Sequence, residues 1–256
     1  MVRLYGKAPY KAVLVHGGPG AIGSLKRFAE ELSERSGIGV VEAIQSKYSI
    51  AGLIEELADQ IQDNCSEKVS LIGHSWGAWL AVLLAKAYPD FVKSIILVGC
   101  APLEDKYVSE IGARRMQNLA GEDRAIFQRL IRNEATDEDM EKIPEILEQA
   151  DNYCPVEKEL HQADRTDSRM HNEVWSEAAK LRTAGEIRKA FQQVKNRLYL
   201  IQGADDPHPA EGVMVPLQEM GVPCEAYVLD KCGHNPFMER YAKEAFYKVI
   251  GQITDW

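Results

Sequence analysis

The chain has 256 residues, enough for one domain with a large core and an inserted lid but short for two independent domains. With 45 % hydrophobic and 27 % charged residues it has the make-up of a soluble globular protein, and no apolar run approaches the roughly 20 residues of a membrane-spanning helix. A net charge of −9 speaks against nucleic acid as a partner, because affinity for a phosphate backbone rests on basic surface.

Ala12-Val13-Leu14-Val15 reads as a buried strand that runs into His16-Gly17-Gly18-Pro19-Gly20, a loop too glycine-rich for regular structure. The next segment reads as a helix with Ser24 as N-cap, a face of Leu25, Phe28, Ala29 and Leu32, and a stop at Gly37. Ile38 to Ala43 predicts a second strand, and Ser49 is placed to cap a helix whose face is Leu53, Ile54, Leu57, Ala58 and Ile61. Lys68 to Ile72 is a third strand, followed by Trp79, Leu80, Leu83, Leu84 and Ala87 at helical spacing until Tyr88 meets Pro89. Ser94 to Val98 is a fourth, ending at Gly99-Cys100.

From Pro102 to Arg188 only helical or loop patterns are found: Ile126, Phe127, Leu130 and Ile131, then Thr136 capping a stretch interrupted at Pro144, then Val174, Trp175, Ala178 and Ala179. The earlier rhythm resumes with a strand at Leu198 to Ile201, a helix after Pro209, a strand at Ala226 to Leu229 and a last helix from Glu239 to Ile250. Strands alternating with helices over short connections predict an α/β fold with a mostly parallel sheet of about six strands and helices on both faces. The expected core is residues 1–101 and 189–256, with a helical lid at 102–188 inserted after the strand that ends near Val98. That lid holds most of the acidic excess, with 20 acidic against 14 basic residues from Ala101 to Ala190.

Chemistry concentrates just past the strand ends. Gly73-His74-Ser75-Trp76-Gly77 sets a serine between two glycines on a strand-to-helix corner, where its hydroxyl projects above a sheet and the helix amino end offers N–H groups to negative charge. A serine hydroxyl needs a neighbouring imidazole to take its proton during attack, and that imidazole needs a carboxylate to set its tautomer. His234 and Asp206 follow in the chain order Ser, Asp, His, each in a loop after a strand. The expected catalytic residues are therefore Ser75, His234 and an aspartate of the Asp205-Asp206 pair. The oxyanion donors are the backbone N–H groups of Trp76 and Gly18, with Gly17 as the alternative to Gly18.

Four segments in this order resemble the α/β-hydrolase superfamily: His16 to Gly20 as the oxyanion loop, Gly73 to Gly77 as the nucleophile elbow, Gly203-x-x-Asp206 as the acid turn and Gly233-His234 as the base. The resemblance implies a serine hydrolase and selects Asp206 over Asp205. Two departures stand out. Only about ten residues precede Lys11, which implies that the usual first hairpin is missing, and Gln45-Ser46-Lys47-Tyr48 stands where such hydrolases often carry Asp-x-x-Gly.

The remaining candidates have plainer readings. His74 is expected to pack beside the elbow, His16 to brace the oxyanion loop and His208 to be an exposed loop residue, while His161 and His171 lack a partner at metal-ligand spacing. Cys232 reads as a small core residue. Five scattered cysteines without a C-x-x-C pair, and an amino terminus with no apolar run typical of a secretion signal, predict a reduced, cytoplasmic protein. The expected partner is a small-molecule substrate, with no cofactor, no metal, no nucleic acid and no membrane.

Cys100, Trp175, Glu173 and Glu177 are the candidates for the substrate pocket. The leading expectation is cleavage of a carboxylic ester through an acyl-enzyme on Ser75. An alternative is an aminopeptidase, because His16 to Gly20 with Ser75-Trp76-Gly77 is similar to the prolyl aminopeptidases, whose acidic lid residues imply a role for Glu173 or Glu177; those enzymes carry Gly rather than His before the serine. A third is a ligand-binding protein on the same fold that does not turn over.

Overall fold

The computed structural model describes residues 1–156, 163–254 and 256. Its strands are β1 (Val2–Tyr5), β2 (Tyr10–Val15), β3 (Ala21–Ile22), β4 (Gly39–Ala43), β5 (Val69–His74), β6 (Val92–Val98), β7 (Arg165–Thr166), β8 (Arg197–Gly203) and β9 (Cys224–Leu229). Seven of them form one sheet in the order β1-β4-β2-β5-β6-β8-β9. All neighbours in it run parallel except β1 and β4. The central strands are fully buried, as expected for a sheet covered on both faces.

The expected six parallel strands are joined by a seventh. β1 lies antiparallel on the outer edge of β4, pairing Val2 with Ala43 and Tyr5 with Val40. No first hairpin results, because β4 lies between β1 and β2. Beside this edge Glu42 is buried, and Tyr5 Oη donates to its carboxylate at 3.0 Å. A second short ladder, β3 with β7, ties the loop after β2 to the segment read as purely helical or loop.

The helices are α1 (Lys26–Ser36), α2 (Ile50–Asn64), α3 (Trp76–Ala87), α4 (Val108–Asn118), α5 (Gly121–Ile131), α6 (Asp137–Asp151), α7 (Ser168–Thr183), α8 (Glu186–Gln193), α9 (Glu211–Glu219) and α10 (Lys243–Ile253). One sheet face packs α1 and α10 through Phe28, Leu32, Phe246 and Ile250. The other packs α2, α3, α8 and α9 around Leu53, Trp79, Leu80, Phe191 and Leu217. Ser49 caps α2 by accepting from the Gly52 N–H at 3.2 Å, and Gly37 closes α1 in the left-handed region at φ 69°. Ser24 is not the cap of α1, whose N-cap position is Leu25. Thr136 and Asp139 form a reciprocal capping box, and α6 continues through Pro144.

The segment between β6 and β8 is divided. Helices α4 to α6 enclose a small core of Leu119, Ile126, Phe127, Ile143, Ile146 and Ala150. In contrast, α7 contributes Met170, Val174 and Ala178 to the main core, and α8, which packs on α3, begins before the expected boundary at 188. After β2 the chain crosses to β4 on one side and returns to β5 on the other, so the order reverses between β2 and β5. A crevice opens at the carboxyl ends of strands flanking such a reversal.

Candidate active site

Ser75 sits on that crevice with φ 54° and ψ −118°, a left-handed backbone uncommon for a residue with a side chain. Its N–H donates to the Val98 carbonyl at 2.8 Å, which locks the corner between β5 and α3. The corner is tight enough to require glycine on both sides. A Cβ at Gly73 would overlap the Gly77 carbonyl oxygen, and one at Gly77 would overlap the Val15 carbonyl oxygen. Strained backbone at a site held this firmly is a common mark of function.

A cavity of about 780 Å³ opens over the serine. Ser75, Trp76, Gly17, Gly18, His234 and His208 line its floor, and Val108, Ile111, Leu147 and Trp175 contribute from the lid. A Cβ on Gly17 would stand 2.9 Å from the Ser75 Cβ, so the loop after β2 lies directly against the serine. Trp76 is the first residue of α3, and a helix leaves its first N–H groups without an intrahelical partner. Both elements that could donate to an oxyanion therefore border the serine.

The hydrogen bonds fix the state of His234. Its Nδ1–H donates to Asp206 Oδ2 at 2.9 Å, which leaves Nε2 with the free lone pair in the neutral ring. Burial pulls the His234 pKa down, but the negative charge of Asp206 outweighs it and the net shift is upward from 6.5. Burial pushes the Asp206 carboxyl up, and the attraction of His234 with the hydrogen bonds from His208 and His234 more than offsets this, so it stays ionised. Gln202 Nε2, at the end of β8, also donates to Asp206 at 2.8 Å.

His74 and His16 are neutral packing residues. His74 Nε2–H donates to the His234 carbonyl at 3.1 Å, and burial pushes its pKa down to about 3. His16 Nδ1–H donates to the Gly17 carbonyl at 2.9 Å, and burial takes its pKa to about 4. His208 is not an exposed loop residue: it is 8 % exposed and touches Asp206. His171 stacks on Trp175, and His161 lies outside the described residues.

Two residues that the sequence pattern did not single out brace the site. Gln45 donates to the His16 carbonyl at 2.9 Å and accepts from the Trp76 indole at 3.2 Å, joining the loop after β2 to the elbow helix. This is the role taken by the departing Gln45 to Tyr48 segment. Glu239 is fully buried and accepts from the Tyr153, Cys154 and Gly233 N–H groups at 2.6, 2.7 and 2.8 Å. The Asp151 carbonyl accepts from the His234 N–H at 2.7 Å, so the end of α6 is fastened to the His234 loop. Neither carries a local signal, because most of their partners lie far away in sequence.

Of the four pocket candidates, the structure brings only Trp175 to the cavity, where it stacks on Trp79 with ring centroids 6.1 Å apart. Cys100 is fully buried, its thiol turned to the Ala101 carbonyl. Glu173 pairs with Arg169 one turn earlier at 2.8 Å. Glu177 accepts from the Ile50 N–H at 2.9 Å, a carboxylate placed on the positive end of α2. Glu177→Ala is expected to lower stability by about 1 kcal/mol through loss of that contact. Neither Glu177→Ala nor Glu173→Ala should change kcat/KM for an acyl ester more than about twofold, a prediction that steady-state assays and urea melts would check.

Among the described residues no helix is long and apolar enough to cross a membrane. No curated protein sequence matches the chain. Solved structures of similar fold include VinJ, at 17 % identity over 98 % of this chain and 93 % of that one with a TM-score of 0.72. They include the proline iminopeptidase of Mycobacterium smegmatis, at 17 % identity over 98 % and 92 % with a TM-score of 0.66. The Paleococcus ferrophilus monoacylglycerol lipase is similar at 18 % identity over 98 % and 96 %, with a TM-score of 0.62. The sequence profile of the alpha/beta hydrolase family matches residues 12–247. That match runs from the first parallel strand into the last helix, and the chain belongs to the alpha/beta hydrolase family.

Proposed function

We propose that the protein is a serine hydrolase that cleaves a carboxylic ester of a small molecule through an acyl-enzyme on Ser75. The observation that carries this reading is Ser75 on its strained corner, opening on the same cavity as a His234 whose proton is held on Nδ1 by Asp206. In the first step the Ser75 oxygen attacks the acyl carbon while His234 Nε2 takes the hydroxyl proton. Asp206 stabilises the imidazolium, and the N–H groups of Trp76 and of Gly18 or Gly17 receive the negative charge that develops on the acyl oxygen. The imidazolium then gives its proton to the leaving alcohol. Water, deprotonated by the same nitrogen, releases the acid and restores the serine.

The ester reading is favoured over the aminopeptidase reading by the lid. Glu173 and Glu177, the acids that the resemblance offered for an amino group, are engaged with Arg169 and the start of α2. Apolar side chains of the lid, Val108, Ile111 and Leu147, suit an acyl or alkyl group.

Fluorophosphonate treatment followed by mass spectrometry should find the adduct on Ser75, and folded protein left unmodified there would remove the proposal. A parallel panel of p-nitrophenyl acyl esters and aminoacyl anilides decides between the two substrate classes. Turnover of free-amine anilides alone would overturn the ester reading. Because attack requires neutral His234, whose pKa lies above 6.5, kcat/KM should be constant at alkaline pH and fall about tenfold per unit below that raised value. An acid limb centred below 6.5 would contradict the ion pair with Asp206.

A further inference from the structure

Asp206 carries two imidazoles, and a serine triad uses one. His208 Nδ1–H donates to Asp206 Oδ1 at 3.1 Å and its backbone N–H donates to the same oxygen at 2.8 Å. Gln202 Nε2 and His234 Nδ1 donate to Oδ2 at 2.8 and 2.9 Å. A carboxylate oxygen has two lone pairs, so Oδ2 is filled, while Oδ1, which His234 Nδ1 also reaches at 3.1 Å, has more donors than lone pairs. The His234 ring also lies 4.3 Å from the His208 ring, nearly parallel at 24°.

We infer that His208 is a positioning residue: its Nδ1–H competes with His234 for Asp206 Oδ1, and so biases the His234 Nδ1–H towards Oδ2 and sets the direction of the His234 ring and the charge it feels. His234 Nδ1 is already 3.1 Å from that oxygen, only slightly farther than from Oδ2. Without the second imidazole that competition ends, and the proton on His234 Nδ1, already within reach of both oxygens, is free to shift from Oδ2 towards Oδ1. The ring then rocks about the carboxylate, and Nε2 loses its fixed aim. The same N–H disperses the charge of Asp206, which restrains the basicity of His234.

Burial and the neighbouring His234 lower the pKa of His208, in keeping with a neutral donor. The other charged and titratable groups around the pair are His74 on the elbow, Asp151 and Arg115 on the lid, Arg114, whose guanidinium donates to the Asp206 carbonyl at 3.3 Å, and Glu211 beside Arg114. This role rests on the hydrolase reading above.

His208→Phe keeps a ring to stack and removes the donor, while His208→Asn keeps an N–H donor at about the place of Nδ1 and removes the ring. The Phe variant should lose about 10- to 100-fold in kcat with KM within about threefold, and the acid limb of its kcat/KM profile should move upward by about half a unit or more. His208→Asn should recover most of that loss and return the limb towards wild type. A merely structural ring would give the reverse order, with Phe near wild type and Asn impaired, and would leave the limb in place; either result overturns the inference. In the wild type, nitrogen-15 shifts of the histidine rings at alkaline pH should show His208 protonated on Nδ1 and bare on Nε2, and the opposite tautomer overturns it without any variant. Failure of wild-type protein to form the fluorophosphonate adduct would refute the hydrolase reading instead, and the ring-nitrogen shifts would still decide whether His208 donates to Asp206.

Discussion

Ser75→Ala is expected to reduce kcat for any acyl substrate of the wild-type protein by about 10⁴-fold or more. The serine oxygen forms the covalent bond of the proposed mechanism, which His234 and Asp206 assist by proton transfer and charge stabilisation. Removing the hydroxyl leaves the Gly17-Gly18 loop, the Trp76 N–H and the cavity, which can still bind an ester and polarise it. A residue of turnover over water is therefore expected, with KM changed little. The fold should survive, because the Ser75 N–H, which bonds to Val98, is retained. Alanine does inherit the φ of 54°, but the strain on a side chain there is already present in the wild type. Measured turnover within tenfold of wild type, in protein with unchanged melting temperature, would show that the serine is not the nucleophile. A ligand-binding protein without turnover would be recognised earlier, by the absence of any activity to lose.

Gly77→Ala should instead destabilise the fold strongly, by about 4 kcal/mol or more, from overpacking against backbone. Its new Cβ would fall on the Val15 carbonyl oxygen and within 2.7 Å of the His16 oxygen. Those atoms belong to β2 and the loop after it, so no side-chain rotation relieves the clash. Either α3 lifts off the sheet or β2 slides against β5, and both strands are buried throughout the region. For a chain of this size that loss lowers the melting temperature by about 8 to 16 °C. Soluble Gly77→Ala protein melting within about 3 °C of wild type would mean that the close approach of helix and strand is relaxed at little cost. Gly112→Ala on the lid helix, where the nearest atom to an added Cβ is 3.9 Å away, provides a control of the same chemical change.

The sequence made the parallel core and the central site legible because both are written in local patterns. Short apolar runs mark β2, β5, β6 and β8; Ser75 follows β5 directly, and Asp206 and His234 lie in the loops after β8 and β9. What stayed hidden depends on partners far along the chain. Val2 to Tyr5 is too short to show a period and becomes a strand only because the edge of β4 lies free for it. Ala21–Ile22 and Arg165–Thr166 pair as two-residue ladders, below any periodic signal. Glu173 and Glu177 sit on a helix near the site, but spacing along α7 does not reveal whether an acid faces a cavity or the end of α2. His208 did carry a clue: prolines on both sides hold its loop close to the acid two residues earlier.

The clasp that Glu239 and Asp151 make between the lid and the His234 loop sets a rule for remodelling this protein. Specificity in such a fold is naturally sought by exchanging the whole segment between β6 and β8 for a foreign one. Here that segment ends its first half, at residues 151–154, by supplying the carbonyl and the N–H groups that seat the base. A graft that takes α4 to α6 without this junction would bring a new pocket and unseat the histidine needed to use it. Grafts joined within α4 and before Asp151, leaving Asp151 to Cys154 native, are the ones in which substrate range and catalytic power become separable traits.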